Sequence, residues 1–211
     1  MDKRELITKL VERYPVLKIC QKDIEKAADL LVKSYENKGK LLICGNGGSS
    51  SDSDHIVGEL MKSFSKKRPL ENNFSEKLKA ISAERGMNLS QKLERALPAI
   101  SLSAHSALTS AVSNDIGGDF IFAQQVVGYG NKEDVLLGIT TSGNSKNIID
   151  AAITAKAKGL TVIGLTGETG GDLKQYCDVT ICVPSKITPV VQEYHLPVYH
   201  ILCQIIEHKF F

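Results

Sequence analysis

Apolar positions along the chain follow two alternating rhythms. Between residues 2 and 38 they recur at helical spacing, Leu6, Leu10 and Val11, then Ile24, Ala27, Ala28, Leu31 and Val32, with Pro15 between the sets. That spacing predicts two helices interrupted at the proline, and Gly39 is a plausible stop for the second. Residues 40–44 then form a short, nearly unbroken apolar run, the pattern of a strand buried on both faces of a parallel sheet. Four more such runs follow at 98–102, 134–139, 160–165 and 179–183, most of them separated by helix-like stretches.

Strands alternating with helices over this length predict an α/β chain: one domain spanning 1–211, with a doubly wound, five-stranded parallel sheet between two helical layers. Such sheets bind ligands beyond the carboxyl ends of their strands, which directs attention to the loops beginning at Gly45, Ser103, Thr140 and Thr166. Residues 70–97 break the rhythm. Phe74, Leu78 and Ile81, then Leu89, Leu93 and Leu97, with Gly86 between, read as a helical hairpin inserted after the helix that follows the first strand. Its simplest reading is a lid or packing element without chemistry of its own.

Charge narrows the choice of partners. Against 26 basic residues stand 24 acidic ones, a net +2, so no global field favours nucleic acid and an anion must be caught locally. The longest basic run, Lys66, Lys67 and Arg68, reads as a solvated loop. Five cysteines, Cys20, Cys44, Cys177, Cys182 and Cys203, are odd in number and form no CxxC, which argues against a disulfide framework or a thiolate zinc knuckle and for a reducing, cytoplasmic setting. The start, Met1 to Glu5, is charged, and no run approaches the ~18 apolar residues of a membrane span.

Two loops carry the ligand signal. Gly45-Asn46-Gly47-Gly48-Ser49-Ser50-Ser51-Asp52 lets the backbone turn sharply after the first strand and open a helix whose free amides and dipole favour an anion. After the strand at 134–139, Thr140-Thr141-Ser142-Gly143-Asn144-Ser145 offers four hydroxyls and an amide just before another helical stretch. Those residues suit helix capping, yet two such loops on one sheet edge favour a phosphorylated ligand.

On the helix after the glycine loop, His55 and Glu59 stand i, i+4 and share a face, placed to bind one ion or one substrate. Near the C-terminus Gln192, His195 and His200 follow one another. Gln192 and His200 are eight residues apart, ~12 Å along a straight helix, too far to grip one ion comfortably. Three alternatives stand open: Pro197 kinks the segment, Pro197 begins a new helix, or a second subunit completes the site. His195 reads as structural.

Taken together, residues 44–49, Asp52-x-x-His55-x-x-x-Glu59-Leu60, Asn114-Asp115, Thr140 to Ser145, Leu165-Thr166-Gly167 and Gln192-Glu193-x-His195-x-x-x-x-His200 resemble, in the same order, the phosphoheptose isomerases of the sugar-isomerase (SIS) domain class. The resemblance covers nearly the whole chain outside 70–97. It implies a flavodoxin-like three-layer fold and a homotetramer with sites at subunit interfaces. The implied reaction converts sedoheptulose 7-phosphate into D-glycero-D-manno-heptose 7-phosphate for surface-glycan synthesis. By matching positions, Asn46, Gly47, Gly48, Ser49, Glu59, Asn114, Asp115, Thr140, Thr141, Ser142, Ser145 and Gln192 would contact substrate, and His55, Glu59, Gln192 and His200 would hold a zinc ion.

Aldose–ketose isomerisation moves a proton between neighbouring carbons through an enediol, so it needs a base, a partner acid or base, and a donor or electrophile for the oxyanion. Glu59 fits the base and His200 its partner. Two positions depart from the family pattern: Ser63 stands where an arginine is usual, and Pro189 where a polar residue precedes the glutamine. The Ser63 departure bears on contacts to the distal sugar or phosphate, and the 70–97 segment lies next to the helix carrying Glu59. The alternatives are an isomerase of another sugar phosphate, and a non-catalytic SIS module that senses sugar phosphates or binds a replication initiator. Relatives of the last kind tend to lose the glutamate and the final histidine, both present here.

Overall fold

In the computed structural model, which describes residues 2–211, five parallel strands form one sheet of order β2-β1-β3-β4-β5. They are β1 (Leu41–Gly45), β2 (Ala99–Ser101), β3 (Val135–Thr140), β4 (Thr161–Thr166) and β5 (Val179–Cys182). Each falls within or beside one of the five apolar runs. Side chains alternate between two cores. Leu41, Ile43, Val135, Leu137, Ile163 and Leu165 face one core, whereas Leu42, Cys44, Leu136 and Val162 face the other. Burial on both faces is why these strands read as continuous apolar runs rather than alternating ones.

The first core is covered by α1 (Lys3–Arg13), α2 (Gln21–Glu36), α3 (Gly48–Met61) and α9 (Thr188–Phe210), and the second by α7 (Ile121–Tyr129) and α8 (Lys146–Ala157). This is the expected three-layer arrangement. From β1 the chain passes through α3 to β2, then returns through α6 (Ser106–Asp115) and α7 to β3 on the other side of β1. The strand order therefore reverses between β1 and β3, and a crevice opens at their carboxyl ends.

Three local expectations change in detail. Pro15 does not simply break a helix; it starts a 3-10 segment, Pro15–Cys20, between α1 and α2. After α2 the left-handed conformation is taken by Lys38, with φ 62°, while Gly39 is required because a Cβ there would run into the Glu133 carbonyl and the Ser34 hydroxyl. The 70–97 segment is a hairpin of α4 (Asn72–Ile81) and α5 (Ala83–Lys92), but its turn is at Ser82. Gly86 lies inside α5, where the lack of a side chain lets that helix cross against the Leu78 carbonyl. Apart from Gly86, neither helix buries a residue, and Phe74, Ile81 and Met87 are exposed.

The basic run divides. Lys67 is solvated, at 91% side-chain exposure, but the Arg68 side chain is fully buried against Glu207. Pro197 neither kinks α9 apart nor begins it: the helix is continuous from Thr188 to Phe210, and Pro189 sits in its first turn, where a missing N–H is harmless.

Candidate active site

Both ligand loops lie side by side on the same edge, because Gly45 of β1 pairs with Ile139 of β3. In the glycine loop Gly47 takes φ 55°, a conformation glycine adopts without strain. Turn bonds engage the amides of Ser49, Ser50 and Ser51, while those of Gly47 and Gly48 take no partner among the described residues. Two unpartnered amides at the start of a fourteen-residue helix are the donors an anion would need. Ser49 itself is buried beneath the loop.

Across the crevice, Ser145 caps no helix through its side chain; its hydroxyl shares a 2.9 Å bond with Thr140 Oγ1. Ser142 Oγ accepts from the Asn144 amide, and the Thr141 carbonyl accepts from Gly167 N at 3.0 Å, so the loop after β4 braces this one. Asn46 and Asn147 exchange two side-chain bonds of 2.9 Å and join the loops. The sequence pointed to Asn46 and not to Asn147, whose only mark was its place at the end of a hydroxyl-rich run.

α3 and α9 run alongside each other in step. Gly48 lies against Gln192, where a Cβ would stand 2.6 Å from the Gln192 amide nitrogen. Seven residues further along each helix, His55 Nδ1 meets the Tyr199 hydroxyl at 2.9 Å. His55 Nε2 in turn meets Glu59 Oε1 at 3.1 Å, and the His55 and His200 rings lie 5.1 Å apart, edge to face. His55, Glu59 and His200 are thus gathered in one cluster. Gln192 is not in it; it stands at the glycine loop, about two helical turns away. Among the described residues, no three His, Cys, Asp or Glu side chains are arranged to hold a metal ion. Asn114 and Asp115, at the exposed end of α6, bond each other at 2.7 Å, and neither reaches the loops through a hydrogen bond among the described residues.

Two atoms in the cluster are buried without a hydrogen-bond partner among the described residues: Glu59 Oε2 and His200 Nε2. Burial, and then the nearby His55, lower the His200 pKa, with Glu59 opposing, so the imidazole is neutral at neutral pH. Behind His55, Tyr199 donates to Asp52 at 3.3 Å. Burial pushes the Asp52 carboxyl up, partly offset by Tyr199 and His55. Tyr199 was not singled out by the sequence, although it immediately precedes His200. The His55 ring bridges Tyr199 and Glu59 through its two nitrogens, which orients the carboxylate. His195 is fully buried with neither ring nitrogen hydrogen-bonded among the described residues, in keeping with a structural role.

Alongside the doubly wound sheet with hydroxyl and glycine loops at its switch point, the chain matches the SIS domain over residues 7–97 and 75–167 and is a SIS-domain protein. It is 41% identical over 195 residues to the phosphoheptose isomerase of Helicobacter pylori, covering 92% of this chain and 88% of that protein. To the enzyme of the same name from Burkholderia pseudomallei it is 39% identical over 188 residues, 89% and 82% of the two chains. The structure of phosphoheptose isomerase from Neisseria gonorrhoeae superposes with a TM-score of 0.75 at 31% identity, over 95% and 94% of the chains. The chain belongs to the phosphoheptose isomerase family.

Proposed function

We propose that the protein is an aldose–ketose isomerase that converts sedoheptulose 7-phosphate into D-glycero-D-manno-heptose 7-phosphate in heptose synthesis for surface glycans. Supporting it are the family relationship and one observation above the rest: a carboxylate oxygen and an imidazole nitrogen of one half-buried cluster, Glu59 Oε2 and His200 Nε2, are themselves buried with no protein partner among the described residues. Proton transfer needs such atoms unoccupied. The Gly47 and Gly48 amides and the hydroxyls of Thr140, Thr141, Ser142 and Ser145 bind the phosphorylated substrate. Glu59 takes the proton from the carbon beside the carbonyl and returns it to the neighbouring carbon. Neutral His200 gives and takes the oxygen-bound proton.

The donor chemistry of the same cluster, two imidazoles and a carboxylate, suits a zinc ion, although these side chains are not in a metal-holding arrangement among the described residues. His55, Glu59 and His200 would hold it, the ion replacing the proton that now joins His55 to Glu59, and when bound it would polarise the substrate carbonyl. Gln192 would join only through a rearrangement or from another subunit.

Distance favours sites shared between subunits, as in the homotetramer that the resemblance implies. From Gly48 to Glu59 is eleven residues of helix, ~16 Å. With bonds of about 1.5 Å, each advancing the chain slightly less, an extended heptose with its phosphate spans roughly 10 Å. Loops from one copy and Glu59–His200 from another would close that gap, and would bring in Asn114 and Asp115. Free thiols at all five cysteines suit a cytoplasmic enzyme, and no helix of the described residues is long and apolar enough to cross a membrane.

Purified protein assayed with sedoheptulose 7-phosphate and with hexose and pentose phosphates, with and without zinc, tests this reading. Turnover of the heptulose above the others supports it. Binding of sugar phosphates without turnover would return the chain to the non-catalytic SIS modules.

A further inference from the structure

We propose that Arg68 is a positioning residue for the isomerase reaction, holding the end of α3 so that Glu59 keeps its place relative to His200. This rests on the isomerase reading above. Helix α3 ends abruptly: Lys62 is fully extended, at φ −146° and ψ 178°, and the last turn contains no basic residue. Its final carbonyls therefore need donors from elsewhere. Arg68 donates from one terminal nitrogen to the Glu59 carbonyl at 2.9 Å and from the other to the Leu60 carbonyl at 2.7 Å, which also accepts from the Leu97 amide at 3.0 Å. The guanidinium grips the peptide of the proposed base itself, and its charge suits the negative end of the helix.

Its third nitrogen, Nε, donates to Glu207 Oε1 at 2.7 Å. Glu207 lies on α9 seven residues after His200, two turns along the same face. One buried ion pair thus ties the peptide of Glu59 to the helix that carries His200. The Glu207 carboxylate is fixed in turn by the amides of Phe64, Ser65 and Lys66, at 2.9, 2.8 and 3.1 Å, and by the Ser65 hydroxyl. Arg68 also stacks over the Phe211 ring, 4.8 Å from its centroid. A buried ion pair contributes little net stability compared with apolar packing. What this one adds is direction: every nitrogen of the guanidinium is aimed at a fixed acceptor, two of them at the end of α3.

Ser63 belongs to the same device. Its hydroxyl accepts from the Arg68 amide at 3.0 Å, and its own amide donates to Glu94 Oε2 at 2.8 Å. The residue that departs from the family pattern thus shapes the loop that brings Arg68 inward.

The test compares steady-state kinetics of folded wild type and Arg68→Lys. Lysine keeps a cation for Glu207 but lacks the planar fork that reaches two carbonyls. A displacement of the base by about 1 Å costs on the order of 100-fold in rate, so the expected result is a kcat lowered about 10- to 100-fold with KM within about twofold. If Arg68→Lys fails to fold, the double variant Arg68→Met, Glu207→Leu removes both charges and takes its place, with the same kcat loss expected. Wild-type kcat per folded site in either variant, or a loss confined to KM, would overturn the positioning role. A wild type inert towards every sugar phosphate would overturn the isomerase reading and this role with it, whereas an active wild type beside an equally active Arg68→Lys overturns this role alone.

Discussion

Glu59 and His200 project from two helices that run side by side, and each keeps one buried polar atom free of any hydrogen bond among the described residues, Oε2 of the carboxylate and Nε2 of the imidazole. The other carboxylate oxygen is held by His55, which is held by Tyr199. One atom of Glu59 is thus anchored while its neighbour is left for work.

Glu59→Gln preserves shape and removes the basic oxygen. Loss of a general base is expected to lower kcat by about 100- to 10,000-fold with little change in KM. The melting temperature should stay close to wild type, since the free oxygen makes no bond that the amide would lose. Near-normal turnover by this variant would remove Glu59 from the base role.

On the phosphate side, Ser145→Ala and Thr140→Val each delete one hydroxyl of the 2.9 Å pair. A ligand hydrogen bond of this kind is worth about 1–1.5 kcal/mol net, so KM for the sugar phosphate should rise about five- to tenfold with kcat nearly constant. A fall in kcat with KM unchanged would show that these hydroxyls act on the reacting carbons and not on the anion.

Most of the sheet was legible because strands buried on both faces leave unbroken apolar runs such as 134–139. The glycine loop and Thr140–Ser145 were legible because their composition serves the backbone and the ligand at once. Arg68 was misread, since nothing local distinguishes a basic residue in solvent from one matched to Glu207, 139 positions away. Gln192 and His200 share a motif yet stand apart, because Pro197 is accommodated within a continuous helix. Spacing reports a face, and only packing reports what lies opposite it.

The α4–α5 hairpin should be dispensable for folding of the chain. Pro69 and Glu94 form an antiparallel bridge at its base, so the chain enters and leaves at one point. Its two helices add no buried side chain to either core. Replacing residues 71–93 by a short turn is expected to shift the melting temperature by only a few degrees, on the scale of about 1 kcal/mol for a chain of this size. Loss of cooperative unfolding would show that the hairpin supports the domain.

His195 gives the fold an acid sensitivity. Burial lowers its pKa to about 4, opposed by the nearby Thr166 backbone. The unfolded chain, with an ordinary pKa near 6.5, binds the proton more readily, so stability is complete above about pH 6.5 and declines as pH falls toward 4, by about 3 kcal/mol in all. His195→Leu fills the same buried volume without a titrating ring. Urea unfolding at pH 7 and at pH 4.5 should show a large acid loss for wild type and a loss smaller by about 2–3 kcal/mol for the variant. Equal acid losses in the two proteins would move the sensitivity to another group.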